Sequence, residues 1–264
     1  MKKSSLYLLL ITFTIITGAC SNNQKSDNVK NDEKEIAYKK YDNGSIKTEA
    51  EVKDGIPHGI LKNYTPDGYL ESVYTMRDGK REGPSVHYYV NGQLKLRVKY
   101  VSNRREGLAE MFYKSGEIYR RMNYKDGKLQ GIRKTYYKDG SIMGEAPYKD
   151  DFPGLGLKEY DSNGNLIKDE VNLRVTSRRI KGEKGKFIVE AGLSEPRNGV
   201  SFFLGELMEG QYLHGGLRKL MPIDGRVKQV VDVHTTDKAR ISVLYQTNKS
   251  NWAVKSKEIR FSSQ

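Results

Sequence analysis

Cysteine, histidine and tryptophan are scarce in this 264-residue chain. Its single cysteine, Cys20, excludes an internal disulfide framework and a cysteine-rich zinc centre. The four histidines, His58, His87, His214 and His234, show no ligand spacing. No Walker loop, zinc-protease helix motif or Gly-x-Ser-x-Gly elbow occurs, so no activated nucleophile or phosphate cradle can be read. Hydrophobic content is also low, with a mean hydropathy of −0.72. Against these absences stand 26 glycines, 18 tyrosines and a net charge of +13. Glycine and tyrosine at that level do not suit a disordered chain, and the length suits two modest domains.

The first nineteen residues read as an address. Lys2 and Lys3 precede an apolar run, Leu6–Ile16, that is too short to span a bilayer comfortably, as in a secretory signal peptide. Thr17-Gly18-Ala19-Cys20 resembles a bacterial lipobox, with Thr17 where such boxes usually carry leucine. The resemblance implies lipidation of Cys20 as the new N-terminus, and Ser21 after it implies delivery to the outer membrane, on its periplasmic or its external side. Residues 20–40 are polar without a hydrophobic period and are expected to form a flexible tether.

Residues 41–169 are a repeat of period 24. Gly44, Gly68, Gly92, Gly116, Gly140 and Gly164 keep perfect register, each followed two positions on by Ile46, Leu70, Leu94, Ile118, Ile142 or Leu166. A second series runs Gly55, Gly79, Asn103, Gly127 and Asp151, and a third Gly59, Gly83, Gly107 and Gly131. Asn-Gly and Asp-Gly pairs mark two turns per unit, because these residues accept positive φ. Arg97-Val98-Lys99-Tyr100 alternates polar and apolar, as a half-buried strand does. The expected fold is therefore all-β, an elongated antiparallel meander of 24-residue hairpins stabilised by neighbouring units.

Tyr113-Lys-Ser-Gly116-Glu-Ile118, then Tyr124-Lys-Asp-Gly127-Lys-Leu-Gln-Gly131, then Tyr136-Tyr137, resembles the MORN-repeat variant of bacterial proteins often labelled antitoxins. The resemblance implies a binding scaffold, in which the antitoxin role is a family association only. Fifteen tyrosines lie between Tyr38 and Tyr160. The phased Tyr64, Tyr88, Tyr136 and Tyr160 are expected to pack between units, whereas the unphased Tyr69 and Tyr119 are the candidates for a binding surface. His58 is expected in a turn, where Glu82, Glu106 and Gln130 take its place in other units.

From about residue 170 the beat ends. Seven strand candidates follow, at residues 173–180, 186–193, 200–207, 212–221, 227–234, 240–245 and 252–261, which predicts a small β-sandwich with Trp252 as core anchor. This segment, 170–264, carries +7, against +3 for 41–169 and +1 for 20–40. Such a basic domain is a candidate for anionic lipid, glycan or an acidic partner, while nucleic acid fits an exported chain poorly. The expectation is a membrane-anchored, non-catalytic envelope lipoprotein, without cofactor or metal, that binds a protein through its repeats. Neutralisation of a toxin by an antitoxin or immunity protein is the alternative, and an envelope enzyme with a cryptic site the second.

Overall fold

Every 24 residues the chain reverses twice, and two kinds of turn explain how. In a computed structural model describing residues 35–232 and 237–261, strand β1 (Glu35–Lys40) is followed by β2 (Ile46–Lys53), β3 (Ile56–Tyr64), β4 (Leu70–Arg77), β5 (Lys80–Tyr88), β6 (Leu94–Val101), β7 (Arg104–Phe112), β8 (Ile118–Lys125), β9 (Lys128–Tyr136) and β10 (Ile142–Lys149). Three short strands, β11 (Phe152–Pro153), β12 (Lys158–Tyr160) and β13 (Leu166–Ile167), complete the series. The thirteen form one antiparallel sheet in which neighbours in sequence are neighbours in space, except that β11 and β12 both pair with β10. The leader, Cys20, residues 21–34 and His234 lie outside the described residues.

At the longer turn, Gly44 N–H donates to Tyr41 O and Tyr41 N–H to Ser45 O, both at 2.9 Å, with Gly44 at φ +84°. Glycine meets that left-handed geometry without steric cost. The shorter turn is Asp54-Gly55, with both residues at positive φ (+53° and +73°), the pairing a two-residue hairpin of right-handed twist requires. The third glycine series has a different cause. Gly59 sits in the middle of β3, at a register shift opposite Ala50 and Val52. Its φ is +115°, and a Cβ there would fall 1.9 Å from the Glu51 carboxylate that accepts the Ile60 N–H. His58 accordingly lies in a strand beside this bulge rather than in a turn.

One face of the sheet is lined by columns of equivalent residues, Val98, Met122 and Ala146 beside Tyr100, Tyr124 and Tyr148, which form a buried cluster. Guanidinium groups roof its rings, Arg105 at 5.1 Å from Tyr124 and Arg133 at 4.9 Å from Tyr148. The other face carries ion pairs, of which Glu110 with Arg97 (2.6 Å) and Arg121 (3.1 Å) is the most buried.

After residue 169 seven strands form two sheets: β14 (Leu173–Arg179), β15 (Lys186–Leu193), β16 (Asn198–Leu204), β17 (Arg218–Leu220), β18 (Arg226–Asp232), β19 (Lys238–Gln246) and β20 (Trp252–Arg260). The orders are β14-β15-β18 and β17-β16-β19-β20, and Val189, Phe202, Ile241, Val243 and Tyr245 are fully buried between them. The expected β-sandwich is present.

Three expectations are corrected. Residues 35–40 belong to the sheet as β1, paired with β2, rather than to a tether; all six are exposed, so they show no burial alternation. Within 212–221 only Arg218–Leu220 is a strand, because the Leu213 N–H donates to Pro153 O and Tyr212 bridges Gly154, tying this stretch to the end of the repeats. Trp252 is half-buried and lies outside the main core. The inward residue is its neighbour Ala253, paired with Tyr245, and successive strand residues face opposite sides.

The repeats and the sandwich meet at β9 and β10. Buried Arg133 donates to Tyr148 Oη (2.9 Å) and Asn251 Oδ1 (2.8 Å), and Asn251 Nδ2 donates to Glu159 (2.6 Å). A neutral amide thus links a buried cation to a carboxylate, and burial holds the Arg133 pKa below its ordinary value. Leu157 packs against both the repeat cluster and the sandwich core.

Candidate binding groove on the turn edge

The edge formed by the longer turns is closed by a tyrosine at the first position of four of the six five-residue loops; Thr65 and Asp161 stand at the other two. Tyr41, Tyr89, Tyr113 and Tyr137 each donate a phenol hydrogen bond to a backbone carbonyl of the next unit, on Tyr64 (2.8 Å), Phe112 (2.7 Å), Tyr136 (2.7 Å) and Tyr160 (2.8 Å). Those carbonyls end the strand that leads into the next loop, so the clasp fixes one turn upon its neighbour. Ammonium groups sit over the rings: Lys47 on Tyr41 (5.2 Å), Lys95 and Lys114 on Tyr89 (5.7 and 6.0 Å), Lys138 on Tyr113 (5.8 Å). At Tyr137 the cation comes from the sandwich, with Lys249 at 5.0 Å. Burial, with the phenols of Tyr119 and Tyr137 nearby, pushes the Tyr113 hydroxyl above its ordinary pKa and keeps it a donor.

Between Tyr41 and Tyr137 the series breaks once, at Thr65. Its side chain is too short to reach the next unit, and its hydroxyl accepts the Tyr69 N–H at 3.2 Å. The cations are missing with the ring: Glu71 stands where other units have Lys47 and Lys95, and Val90 where they have Lys114 and Lys138. A groove of about 520 Å³ opens there, lined among others by Tyr69, Tyr88, Tyr89, Val90, Lys95 and Lys114. Tyr69 is 50% and Val90 64% exposed. One unit further along, a cleft of about 360 Å³ lies between Tyr89, Tyr113 and Tyr119 and shares Tyr89 and Lys114 with the first.

The two tyrosines singled out from sequence thus fall in adjoining depressions on one edge. Tyr119 packs its ring on Tyr113 at 5.0 Å and receives a hydrogen bond from Arg120 at 3.0 Å, so it is held more firmly than Tyr69. Of the phased set, Tyr64 donates to Glu49 (3.2 Å), Tyr160 donates to Glu145 (3.3 Å), and Tyr136 lies under Arg121 (5.7 Å). Tyr88, half-buried like the other three, also lines the groove. Sequence reading missed the clasp tyrosines and their lysines. The available signal was a tyrosine series offset by one residue, visible in the pairs Tyr88-Tyr89 and Tyr136-Tyr137.

The three described histidines serve the framework. His58 Nδ1 lies 3.1 Å from Asp78, and the equivalent Glu82, Glu106 and Gln130 likewise reach the next unit's short turn. His87 meets the Tyr74 hydroxyl at 3.3 Å, and burial holds its pKa below the ordinary value. His214 contacts Glu206 O at 3.0 Å. Among the described residues no group of three or more His, Cys, Asp or Glu could hold a metal ion.

Residues 105–126 and 129–150 match the family of the MORN repeat variant. The two matched segments cover β7 with β8 and β9 with β10, each a pair of strands around a clasped long turn. No curated protein matches the chain.

Proposed function

We propose that this chain is a non-catalytic binding protein of a bacterial cell envelope, anchored by a lipid on Cys20, that captures a segment of a partner protein in the groove beside Thr65. One observation carries the reading: within the run from Tyr41 to Tyr137, ring, overlying cation and neighbouring cation are withheld together only at Thr65, while the turns around it stay in register. The volume left open is in the usual range for ligand sites. Its walls offer three phenol rings, the apolar Val90 and two ammonium groups against the one carboxylate of Glu71, which suits a segment pairing an aromatic or aliphatic side chain with a carboxylate. The lipobox-like Thr17-Gly18-Ala19-Cys20 supports the anchor.

The test places a photo-reactive amino acid at Val90 or, as a control, at the exposed Leu108, in cells making the intact chain. A single cross-linked product from Val90 but not from Leu108 is expected. Equal products from both positions, or none from Val90, would contradict the groove. Separately, Cys20→Ser should release the chain from the membrane fraction, and unchanged retention would contradict the anchor.

A further inference from the structure

Met221 and Ile223 are the most exposed large hydrophobic side chains among the described residues, at 81% and 78%. Both lie in the connection from β17, in the four-stranded sheet of the sandwich, to β18, in the three-stranded one. The tip is held in shape. Ile223 N–H donates to Arg226 O at 2.7 Å, Arg226 N–H returns to Ile223 O at 3.0 Å, and Asp224 and Gly225 at the turn have φ of +49° and +73°. Leu220, just before the tip, is buried in the sandwich core. Pro222, between the two apolar residues, has no N–H that would need a partner away from water.

Cations flank this apolar tip on both strands. Arg218 and Lys219 precede it, and Arg226 and Lys228 follow, all exposed. Lys228 is shared with Glu190 at 3.5 Å, and Arg218 donates to Gln229 at 3.3 Å. The nearby acids are Glu190, held by Lys228, Asp224 in the turn and Glu195 across a shallow cleft, the last paired with Arg197. Four cations against two carboxylates, Asp224 and the Glu190 paired with Lys228, in a segment of net charge +7, leave the surroundings electropositive.

We infer that the Met221–Ile223 tip is a membrane-contacting element, inserting into a phospholipid surface that carries anionic headgroups while Arg218, Lys219, Arg226 and Lys228 engage the phosphates. Two large apolar side chains on a rigid tip, ringed by cations, combine the two attractions that hold a protein to an anionic bilayer. The inference is independent of the groove beside Thr65 and of the lipid on Cys20.

The experiment uses the full chain carrying Cys20→Ser and Met221→Cys, so that an environment-sensitive fluorophore can be placed at the tip alone. Vesicles of phosphatidylcholine are compared with vesicles containing phosphatidylglycerol as well. A several-fold rise and blue shift in emission is expected on the anionic vesicles only, reversed by high salt and lost when Ile223→Asp or Arg226→Glu is added. A label at Leu108→Cys should not respond. A tip that stays wet on both vesicles would overturn the inference, as would equal drying on neutral vesicles or an equal response from Leu108. A tip already dry before vesicles are added, in a chain that elutes as a dimer, would mean that a second copy covers it and would overturn it too.

Discussion

The repeat sheet and the sandwich are both antiparallel β, yet they are stabilised in different ways. The sandwich closes two sheets on a dry centre, in which Phe202, Ile241 and Val243 have no exposure. Among the described residues the repeat sheet has no second sheet packed over most of its length. Its rings are roofed by guanidinium groups, its polar face is knitted by ion pairs, and its turns are clasped one upon the next by tyrosine. Interactions of that kind reach only the adjacent unit, so stability is a sum over neighbours. One unit can lose its clasp, as at Thr65, without disturbing the others, which makes the repeat sheet the place where a groove can be opened at small cost.

The largest effect should come from breaking the sandwich alone. Phe202→Ala is expected to cost about 3–5 kcal/mol. Trp252, the only tryptophan, reports on the sandwich, whereas most tyrosines lie in the repeats. Urea unfolding should therefore show the tryptophan transition moving far to lower denaturant while the tyrosine signal moves less. Next is the junction. Asn251→Ala removes the amide between Arg133 and Glu159 and should cost about 2–3 kcal/mol, because it leaves a buried cation short of a partner. The tryptophan and tyrosine transitions should separate, and coincident transitions would argue against the junction's coupling role.

Within the sheet, Glu110→Gln should cost about 1 kcal/mol at neutral pH. Burial pushes the Glu110 carboxyl up, but the hydrogen bonds from Arg97 and Arg121 outweigh it and leave the pKa below 4.5. A group depressed in this way contributes fully above its unfolded value and loses that contribution as pH falls through its folded value. The difference in Tm between the parent and Glu110→Gln should thus narrow below about pH 4.5. The smallest effect is that of one clasp. Tyr113→Phe keeps the ring and removes the hydrogen bond to Tyr136 O, for a loss of about 0.5 kcal/mol measured by denaturation.

How much of this was readable in the sequence depends on whether both halves of an interaction carry a letter. The strand starts at Ile46, Leu70, Leu94, Ile118 and Ile142 follow directly from the glycine register, and Lys186–Leu193 follows from its turn-bounded apolar run. The clasps did not, since Tyr113 bonds to a backbone carbonyl that any residue could supply. β1 was hidden because an edge strand exposed along its length has no burial pattern to betray it. Trp252 misled through size: register, which a single strand does not reveal, turned Ala253 inward instead. Tyr69 and Tyr119 were found as tyrosines outside the phased series, but the groove beside Tyr69 is defined by what Thr65 lacks relative to Tyr41 and Tyr89, and becomes visible only once the role of that position is known.

Thr65→Tyr puts the missing ring back. The new phenol should reach Tyr88 O as its equivalents do, fill the groove, and raise stability by about 1 kcal/mol. The most direct measurement is therefore cross-linking from Val90 in the intact chain with and without Thr65→Tyr. A more stable protein that no longer yields the cross-linked partner is the predicted result. Undiminished cross-linking in a variant whose stability has risen would show that the groove is not where the partner binds.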